Sequence, residues 1–392
     1  MKVTSVEIFN LNVDIGGFPW HPVIVRVNTD QGISGLGEVG LAYGTGHDAG
    51  AGMAKEMAET FVMGTDPFKS ESLWEALFRS TFWGMGGGPV VFGGMSAFDT
   101  AFWDIKGKAL GVPVYQLLGG KTNDNLRAYA SQIQGGWGKK LRRCVEPKDF
   151  AEEALKAVAD GYDCVKVDPC GRDARGNLVP SLRGILTNDF VTAFRDRVKA
   201  IRDAVGPDVD IIVELHSGLA TSSAIQMGRI WEEYNCYYME EPTNYLNVDA
   251  QAKITGAVRI PMAAGERIYT RWGYRQYLEK QALDVIQPDL GLVGGITEGK
   301  KICDWAHVYD VTVQCHVCGS PVATAAALQL EAVIPNFLIH EHHMFALKDG
   351  NIAICKQDYQ PKKGHFGVPD LPGLGIELND EVVSRSPCIR VP

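Results

Sequence analysis

The chain has 392 residues, 45% of them hydrophobic, and a formal net charge of −9 at pH 7. That length supports two domains or one barrel with an attached module, and the acidic balance gives no electrostatic case for nucleic acid or an anionic membrane surface. No apolar run approaches the roughly 18 residues that span a bilayer, and the start, Met1 to Glu7, alternates like a strand instead of forming a signal-peptide core. Nine cysteines scattered along the chain read as reduced thiols of a cytoplasmic protein. The pair Cys315-His-Val-Cys318 matches C-x-x-C, but one such pair reads as two packed or loop thiols.

The first 125 residues are predicted to form an α+β module. Val23, Val25 and Val27 alternate with Ile24, Arg26 and Asn28; Thr29-Asp30-Gln31-Gly32 turns the chain, and Ile33 to Glu38 returns. With Met1 to Asp14 this makes three antiparallel strands. Helical patterns follow near 50–63, 67–80 and 95–111. In the last, Phe98, Phe102, Ile105 and Ala109 share one stripe, and Gly111 stops it. Strands followed by helices set this part apart from what comes next.

From Leu126 the pattern becomes strand–helix units. Leu126 to Gln132 is the first expected strand, Glu152 to Asp160 a helix ending at Gly161, and Tyr162 to Asp168 the second strand. Pro169 to Leu186 is a long excursion, expected to be a lid or interface segment. A clear apolar stripe of Phe190, Phe194, Val198, Ile201 and Val205 then marks a helix. Beyond it, short apolar runs stop at Glu214, Glu240, Glu266, Asp289, His316 and Glu341, which are 26, 26, 23, 27 and 25 residues apart. One strand, one helix and two loops need about 25 residues. Each interval therefore holds one β/α unit, and each functional side chain sits where a strand of a parallel barrel ends. Residues 126–355 are assigned to the barrel. The segment 356–392, with Pro372-Gly-Leu-Gly-Ile-Glu377 as a turn and a strand-like run, is expected to return to the first module.

Three carboxylates on consecutive strand ends, Glu214, Glu240 and Glu266, would meet in a small volume, because parallel strands lie about 4.8 Å apart. Like charges so close need a cation, and an all-oxygen set with open positions suits Mg²⁺. Asp289 and His316 follow on adjacent strand ends, where the carboxylate would fix the imidazole tautomer and raise its basicity. His316 is then a candidate general base. His216, two residues past Glu214, is expected on the same side of that strand as a candidate general acid. Lys166 can neutralise a substrate carboxylate, and Glu341 can stabilise a developing enolate oxygen. In His340-Glu341-His342-His343, strand alternation turns His340 and His342 away from Glu341, which argues against a zinc site.

These residues resemble the enolase superfamily, in its mandelate racemase branch and among the acid-sugar dehydratases similar to D-galactonate and mannonate dehydratase. The resemblance covers nearly the whole chain. It rests on Phe102-Trp-Asp-Ile-Lys-Gly-Lys108 with Leu117-Leu-Gly-Gly120, Met239-Glu-Glu-Pro242, Ala264-Gly-Glu-Arg267, Ile286-Gln-Pro-Asp289 with Gly294-Gly-Ile-Thr297, and the Pro372–Glu377 tail. It implies an α/β fold, a modified (β/α)7β TIM-like barrel with an α+β N-terminal capping domain, and a homo-oligomer. It also implies Glu214, Glu240 and Glu266 as Mg²⁺ ligands, Asp289 and His316 as the base dyad, and Glu341 beside the enolate; a Lys or His base with Mg²⁺ is that superfamily's known pairing. Two departures narrow the choice: Lys166-Val-Asp168 lacks the second lysine of the racemases, and Asp289 stands where the muconate-cycloisomerase and dipeptide-epimerase branch has lysine. A third departs from the dehydratases themselves, Glu214 standing where they usually carry Asp.

The expected activity is dehydration of a sugar acid to a 2-keto-3-deoxy acid. In it Lys166 and Mg²⁺ bind the carboxylate, His316 removes the C2 proton and His216 protonates the departing hydroxyl. The alternatives are a cycloisomerase or epimerase of sugar acids or lactones, and a non-catalytic sugar-acid binding protein. Substrate selection is expected from the loops Gly16 to Pro22 and Leu41 to Asp48, with Trp20, His21, Tyr43 and His47 as candidate contacts, and from the edge formed by Trp83 and Gly84 to Gly88.

Overall fold

The computed structural model of the protein describes residues 1–179 and 184–392. The N-terminal module is a four-stranded antiparallel sheet, ordered Cys388–Val391, Val3–Asn10, Val23–Thr29, Ser34–Val39. Three of these strands are the expected ones. The fourth comes from the end of the chain, so the tail does return to this module. Its pairing strand lies beyond Pro372–Glu377, and that run instead docks as a turn through a single bridge between Pro113 and Gly373.

A long helix, Gly88–Leu110, packs on this sheet. Two glycines of the last N-terminal strand allow the contact. A Cβ on Gly35 would fall 2.1 Å from the Ala101 carbonyl oxygen, and one on Gly37 would fall 1.9 Å from that of Ala97. Backbone therefore meets backbone, with alanines on the helix side, and no larger residue fits at either strand position. Gly111, at φ 69, ends the helix in the left-handed conformation that favours glycine.

The same helix locks the module to the barrel. Ser96, Asp99 and Trp103 occupy one face at helical spacing. Ser96 Oγ accepts from the amides of Gly294 (2.9 Å) and Gly295 (3.0 Å), and Asp99 accepts from the Thr297 amide (2.8 Å) and hydroxyl (2.5 Å). Trp103 Nε1 donates to the same hydroxyl at 2.8 Å. These groups satisfy the free N–H groups at the start of the barrel helix Gly295–Val308. A second lock is Glu38, whose carboxylate accepts from the amide (3.0 Å) and hydroxyl (2.5 Å) of Ser320 at the head of the helix Pro321–Glu331.

The barrel has eight parallel strands: Asn125–Ser131, Cys164–Val167, Asp210–Glu214, Tyr238–Glu240, Met262–Ala264, Val285–Ile286, Thr312–Val313 and His340–His343. They neighbour one another in chain order, and the last lies beside the first. A parallel bridge between Val313 and Phe337 brings the seventh strand against the approach to the eighth. His365–Gly367 adds an antiparallel strand beside the first barrel strand, so the tail touches the barrel before it reaches the N-terminal sheet.

An apolar cluster, Tyr129, Cys164, Ile212, Tyr238, Ala263, Val285 and Ile339, draws one residue from nearly every barrel strand. Side chains two residues apart share a face of a strand. The next inward layer is therefore Ser131, Lys166, Glu214, Glu240 and Glu341, all buried. The polar floor of the site is one pleat above the apolar plug. Outward-facing neighbours fit the register: His340 Nδ1 pairs with Glu331 (2.6 Å), and His342 Nδ1 with the Tyr162 hydroxyl (2.5 Å). Among the described residues no helix is long and apolar enough to cross a membrane, and all nine cysteines are free.

Burial pushes Asp99 up to about 6 from 3.8, although the Thr297 hydrogen bonds oppose it. A carboxyl whose folded pKa is raised contributes stability that is complete below its unfolded value and is lost as pH rises through the folded one. In denaturation of wild type and Asp99→Asn across pH, the stability difference should move in the variant's favour between about pH 4 and 6, by up to about 3 kcal/mol. A difference that stays flat over that range would exclude Asp99 as a buried titrating contact.

Candidate active site

At the barrel mouth one carboxylate oxygen from each of Glu214, Glu240 and Glu266 lies within 4.8 Å of the others. Glu214 and Glu240 are direct register partners on neighbouring strands. The fifth strand is short: Gly265 takes the inward position, where a Cβ would fall 2.5 Å from the Gln287 backbone. Glu266 therefore reaches the site from the loop beyond the strand. The same holds for Asp289 and His316, which face each other across a parallel bridge just past their ladders.

Lys166 is buried among the acids, with Nζ 2.7 Å from Glu240, 2.9 Å from Glu341 and 3.2 Å from Glu214. One ammonium faces three buried carboxylates, and Glu266 makes a fourth nearby. Oε1 of Glu214 accepts from the amides of Leu215 (3.0 Å) and His216 (2.8 Å). Its Oε2, 3.2 Å from Lys166 Nζ, and the Oε2 of Glu240 are buried without a hydrogen bond. Burial, followed by the charge of Glu214, pushes Glu240 well above the ordinary carboxylate range. Two hard oxygens without a hydrogen bond, in a set where one ammonium faces several carboxylates, fit a divalent cation, since a buried carboxylate oxygen lacking a hydrogen bond is costly. Glu214 and Glu240 meet the fit directly. Glu266 has Oε1 2.7 Å from Arg267 and Oε2 3.1 Å from His316 Nε2.

His316 Nδ1 is 2.7 Å from Asp289 Oδ2, and Asp289 Oδ1 accepts from the Gly291 amide at 2.7 Å. The carboxylate is held by backbone and in turn holds the ring, leaving Nε2 towards the acids. Burial alone would lower the imidazole pKa, but Glu266, Glu341 and Asp289 together hold it well above its ordinary value. Glu341 accepts from Ser131 Oγ (2.7 Å) and Lys166 on Oε1, and from the Val317 amide (2.9 Å) on Oε2. Both its oxygens accept, which is the bonding of an ionised carboxylate. As a stabiliser of an enolate by donation it would need a proton that this arrangement disfavours.

His216 lies in the cavity, but not by strand alternation. Its φ is 45° and that of Ser217 is 57°, so the chain turns in the left-handed region straight after Glu214. The turn aims Nδ1 at Asp168 Oδ2, 3.0 Å away. Asp168 Oδ1 accepts from the amides of Cys170 (2.8 Å) and Gly171 (2.9 Å). A second imidazole–carboxylate pair thus exists, and Asp168 is the partner that sequence reasoning left without a role. Its only signal was its place at the end of the second strand, two residues past Lys166.

One cavity of about 1010 Å³ is lined by Lys166, Asp168, His216, Glu266, His316 and Glu341. Tyr43 also lines it and stacks on Phe18, with ring centroids 5.7 Å apart. Trp20 and His21 are corrected. Trp20 is wholly buried, its Nε1 donating to Asn351 Oδ1 at 2.9 Å, because the strand of which it is part turns it into the core. His21 stacks on His47 and bonds the Leu11 carbonyl at 3.2 Å, away from the cavity wall. Phe18 and Leu41 line it from those loops, and Pro89 lines it from just past the Gly84 to Gly88 edge, whereas Trp83 is exposed. Arg267, whose guanidinium pairs with Glu241 and Glu266, is a lining residue that the spacing did not reveal. The spacing tracked only strand ends, and Arg267 sits one residue further on.

Comparison with known proteins agrees with this geometry. A family model described as enolase C-terminal domain-like matches residues 149–382, and one described as mandelate racemase / muconate lactonizing enzyme, N-terminal domain, matches residues 20–119. The chain belongs to the enolase superfamily. Within it, the chain is 34% identical over 373 residues to a D-galactonate dehydratase of Variovorax paradoxus, covering 93% of this chain and 91% of the relative. It is 34% identical over 390 residues to a D-xylonate dehydratase of Haloferax volcanii, covering 97% and 88%. A crystal structure of an enolase superfamily member from Salmonella Typhimurium superposes with a TM-score of 0.96 at 52% identity, covering 100% of both chains. The capping sheet and the eight-stranded parallel barrel are the fold of this superfamily.

Calorimetric titration of the purified protein with MgCl2 should show one saturable site, and thermal stability should rise with metal by mass action. Glu240→Gln should weaken binding at least about tenfold, because a charged carboxylate of the triad becomes a neutral amide. Unchanged affinity in that variant would place the ion elsewhere.

Proposed function

We propose that this protein is an acid-sugar dehydratase, converting an aldonate to a 2-keto-3-deoxy acid with Mg²⁺ held by Glu214, Glu240 and Glu266. The observation that carries the reading is the pair of imidazole–carboxylate dyads on the same cavity. His316–Asp289 comes from the sixth and seventh barrel strands and touches the acid triad at Glu266. His216–Asp168 comes from the ends of the second and third, and the backbone amide of His216 donates to Glu214. A base and an acid on either side of a bound carboxylate are what β-elimination of water requires.

The bound ion would polarise the substrate carboxylate and stabilise charge that develops on it, which matters most for so weak a carbon acid. The chain's own residues do the rest. Lys166, fixed among Glu214, Glu240 and Glu341, adds positive charge at the floor. His316 takes the C2 proton on Nε2 while Asp289 holds Nδ1. His216, held as a donor by Asp168, gives its proton to the departing C3 hydroxyl. Glu341 orients Lys166 and the Val317 loop beside His316. Tyr43 and Phe18 form part of the apolar wall.

The second dyad also supports another reading. With His216 acting as an opposed base instead of an acid, the same cavity would epimerise C2. Product mass separates the two: dehydration loses water, epimerisation conserves mass.

His316→Asn should lower keto-acid formation by about 10²–10⁴-fold and abolish exchange of the C2 proton with deuterated solvent. Exchange that persists would remove His316 from the base role. Asp168→Asn should behave differently: elimination slows, by at least about tenfold, while C2 exchange continues, because only the acid arm is impaired. Loss of both together would assign Asp168 to the fold and not to His216.

A further inference from the structure

The same cavity is lined by the loop after the first barrel strand and the loop after the second. Leu141, Arg143, Cys144, Arg172, Leu178 and Val179 are the lining residues those loops supply there. The second loop is the described part of the excursion after Pro169; the expected lid also included residues 180–183, which lie outside the described residues. Its described part is a wall. Arg197, itself buried, fixes it to the other loop: Nε donates to the Val145 carbonyl (3.1 Å), Nη1 to those of Pro169 (2.7 Å) and Arg172 (2.6 Å), and Nη2 to that of Asp173 (2.8 Å). One guanidinium satisfied by four carbonyls makes the two loops a single rigid edge.

That edge presents two further arginines. Arg143 is exposed and makes no hydrogen bond or ion pair among the described residues. Arg172 makes one hydrogen bond, from Nη1 to the Gly176 carbonyl at 2.8 Å, and no ion pair among the described residues. Burial and the neighbouring charge of Arg143 both hold Arg172 below the ordinary guanidinium value. Of the carboxylates on these two loops and the helix between them, Asp168 is engaged by His216, Asp149 and Glu153 by Arg142, and Asp173 by the amides of Arg175 and Asn177, while Glu146 pairs with neither arginine among the described residues. Two cations without a carboxylate partner among the described residues, on loops tied together by Arg197 and lining one cavity, favour an anion that accepts their forked N–H bonds.

We propose that Arg143 and Arg172 form a subsite for a second anionic group on the substrate, at the end remote from the carboxylate held by the metal site. The inference rests on the sugar-acid reading and narrows it: the preferred substrate is a sugar acid ending in a second carboxylate or a phosphate. In a protein of net charge −9, whose reaction centre is itself acidic, such a dianion needs a local cationic partner.

The test is calorimetric binding to Mg²⁺-loaded protein of matched sets: hexonates, the corresponding hexarates, and the 6-phosphohexonates. An anionic terminus should improve affinity about tenfold to a hundredfold over the matched hexonate, and the arm in which the gain is larger identifies carboxylate or phosphate. In Arg143→Ala and Arg172→Gln that ratio should fall towards one, with melting curves confirming that the variants are folded. A ratio near one in the wild type across all sets, or a ratio that survives both substitutions, overturns the subsite. Keto-acid formation measured on the same sets judges the dehydratase reading separately. A ligand bound through the arginines but never turned over would sink that reading alone, and turnover of hexonates with a ratio of one would sink the subsite alone.

Discussion

Buried negative charge is the constraint on which this structure depends. Glu214, Glu240 and Glu341 stand one pleat above an apolar plug, with only Lys166 between them. Such a cluster is costly without a compensating cation. The barrel tolerates it because each of two acids is tied to something rigid: Glu214 to the amides that follow it, Glu341 to Ser131 and the Val317 amide. Those donors leave Oε2 of Glu214 and Oε2 of Glu240 without a hydrogen bond.

The imidazoles follow the same logic. Neither His316 nor His216 approaches the acids unsupported. Each has a carboxylate on Nδ1, and each of those carboxylates is anchored by backbone amides, Gly291 for Asp289 and Cys170 with Gly171 for Asp168. Orientation is set at Nδ1 of each ring, and Nε2 is left towards Glu266 in His316 and towards Gln132 in His216. Coordination of Glu266 by an ion would draw charge away from His316 and ease its neutral, basic form.

The cap is held as firmly as the floor. Gly35 and Gly37 let the helix Gly88–Leu110 lie directly on the sheet, and Ser96, Asp99 and Trp103 on that helix close the start of a barrel helix. The loops that carry Phe18, Leu41 and Tyr43 therefore hang over the mouth from a module that does not slide. On the opposite wall Arg197 performs the same service with four carbonyls.

The barrel, its period and the residues at its mouth could be read from the order of the amino acids. A strand–helix unit has a nearly fixed length, so a repeat of charged residues at that interval carries position as well as identity. Glu214, Glu240, Asp289, His316 and Glu341 were legible for that reason, and strand alternation separated His340 and His342 from them. What depends on loops and on contacts distant in the chain emerged only once it was folded. Trp20 was lost to the core because a two-residue strand turns it inward. His216 reached the cavity through a left-handed turn that no alternation rule describes. Asp168 became a partner only when the second and third strands lay side by side. The arginine edge exists because Arg197, distant in the chain, grips two loops at once. Side-chain direction on a regular element follows from local geometry; direction on a loop is fixed by whatever packs against it, and a linear sequence does not state its neighbours.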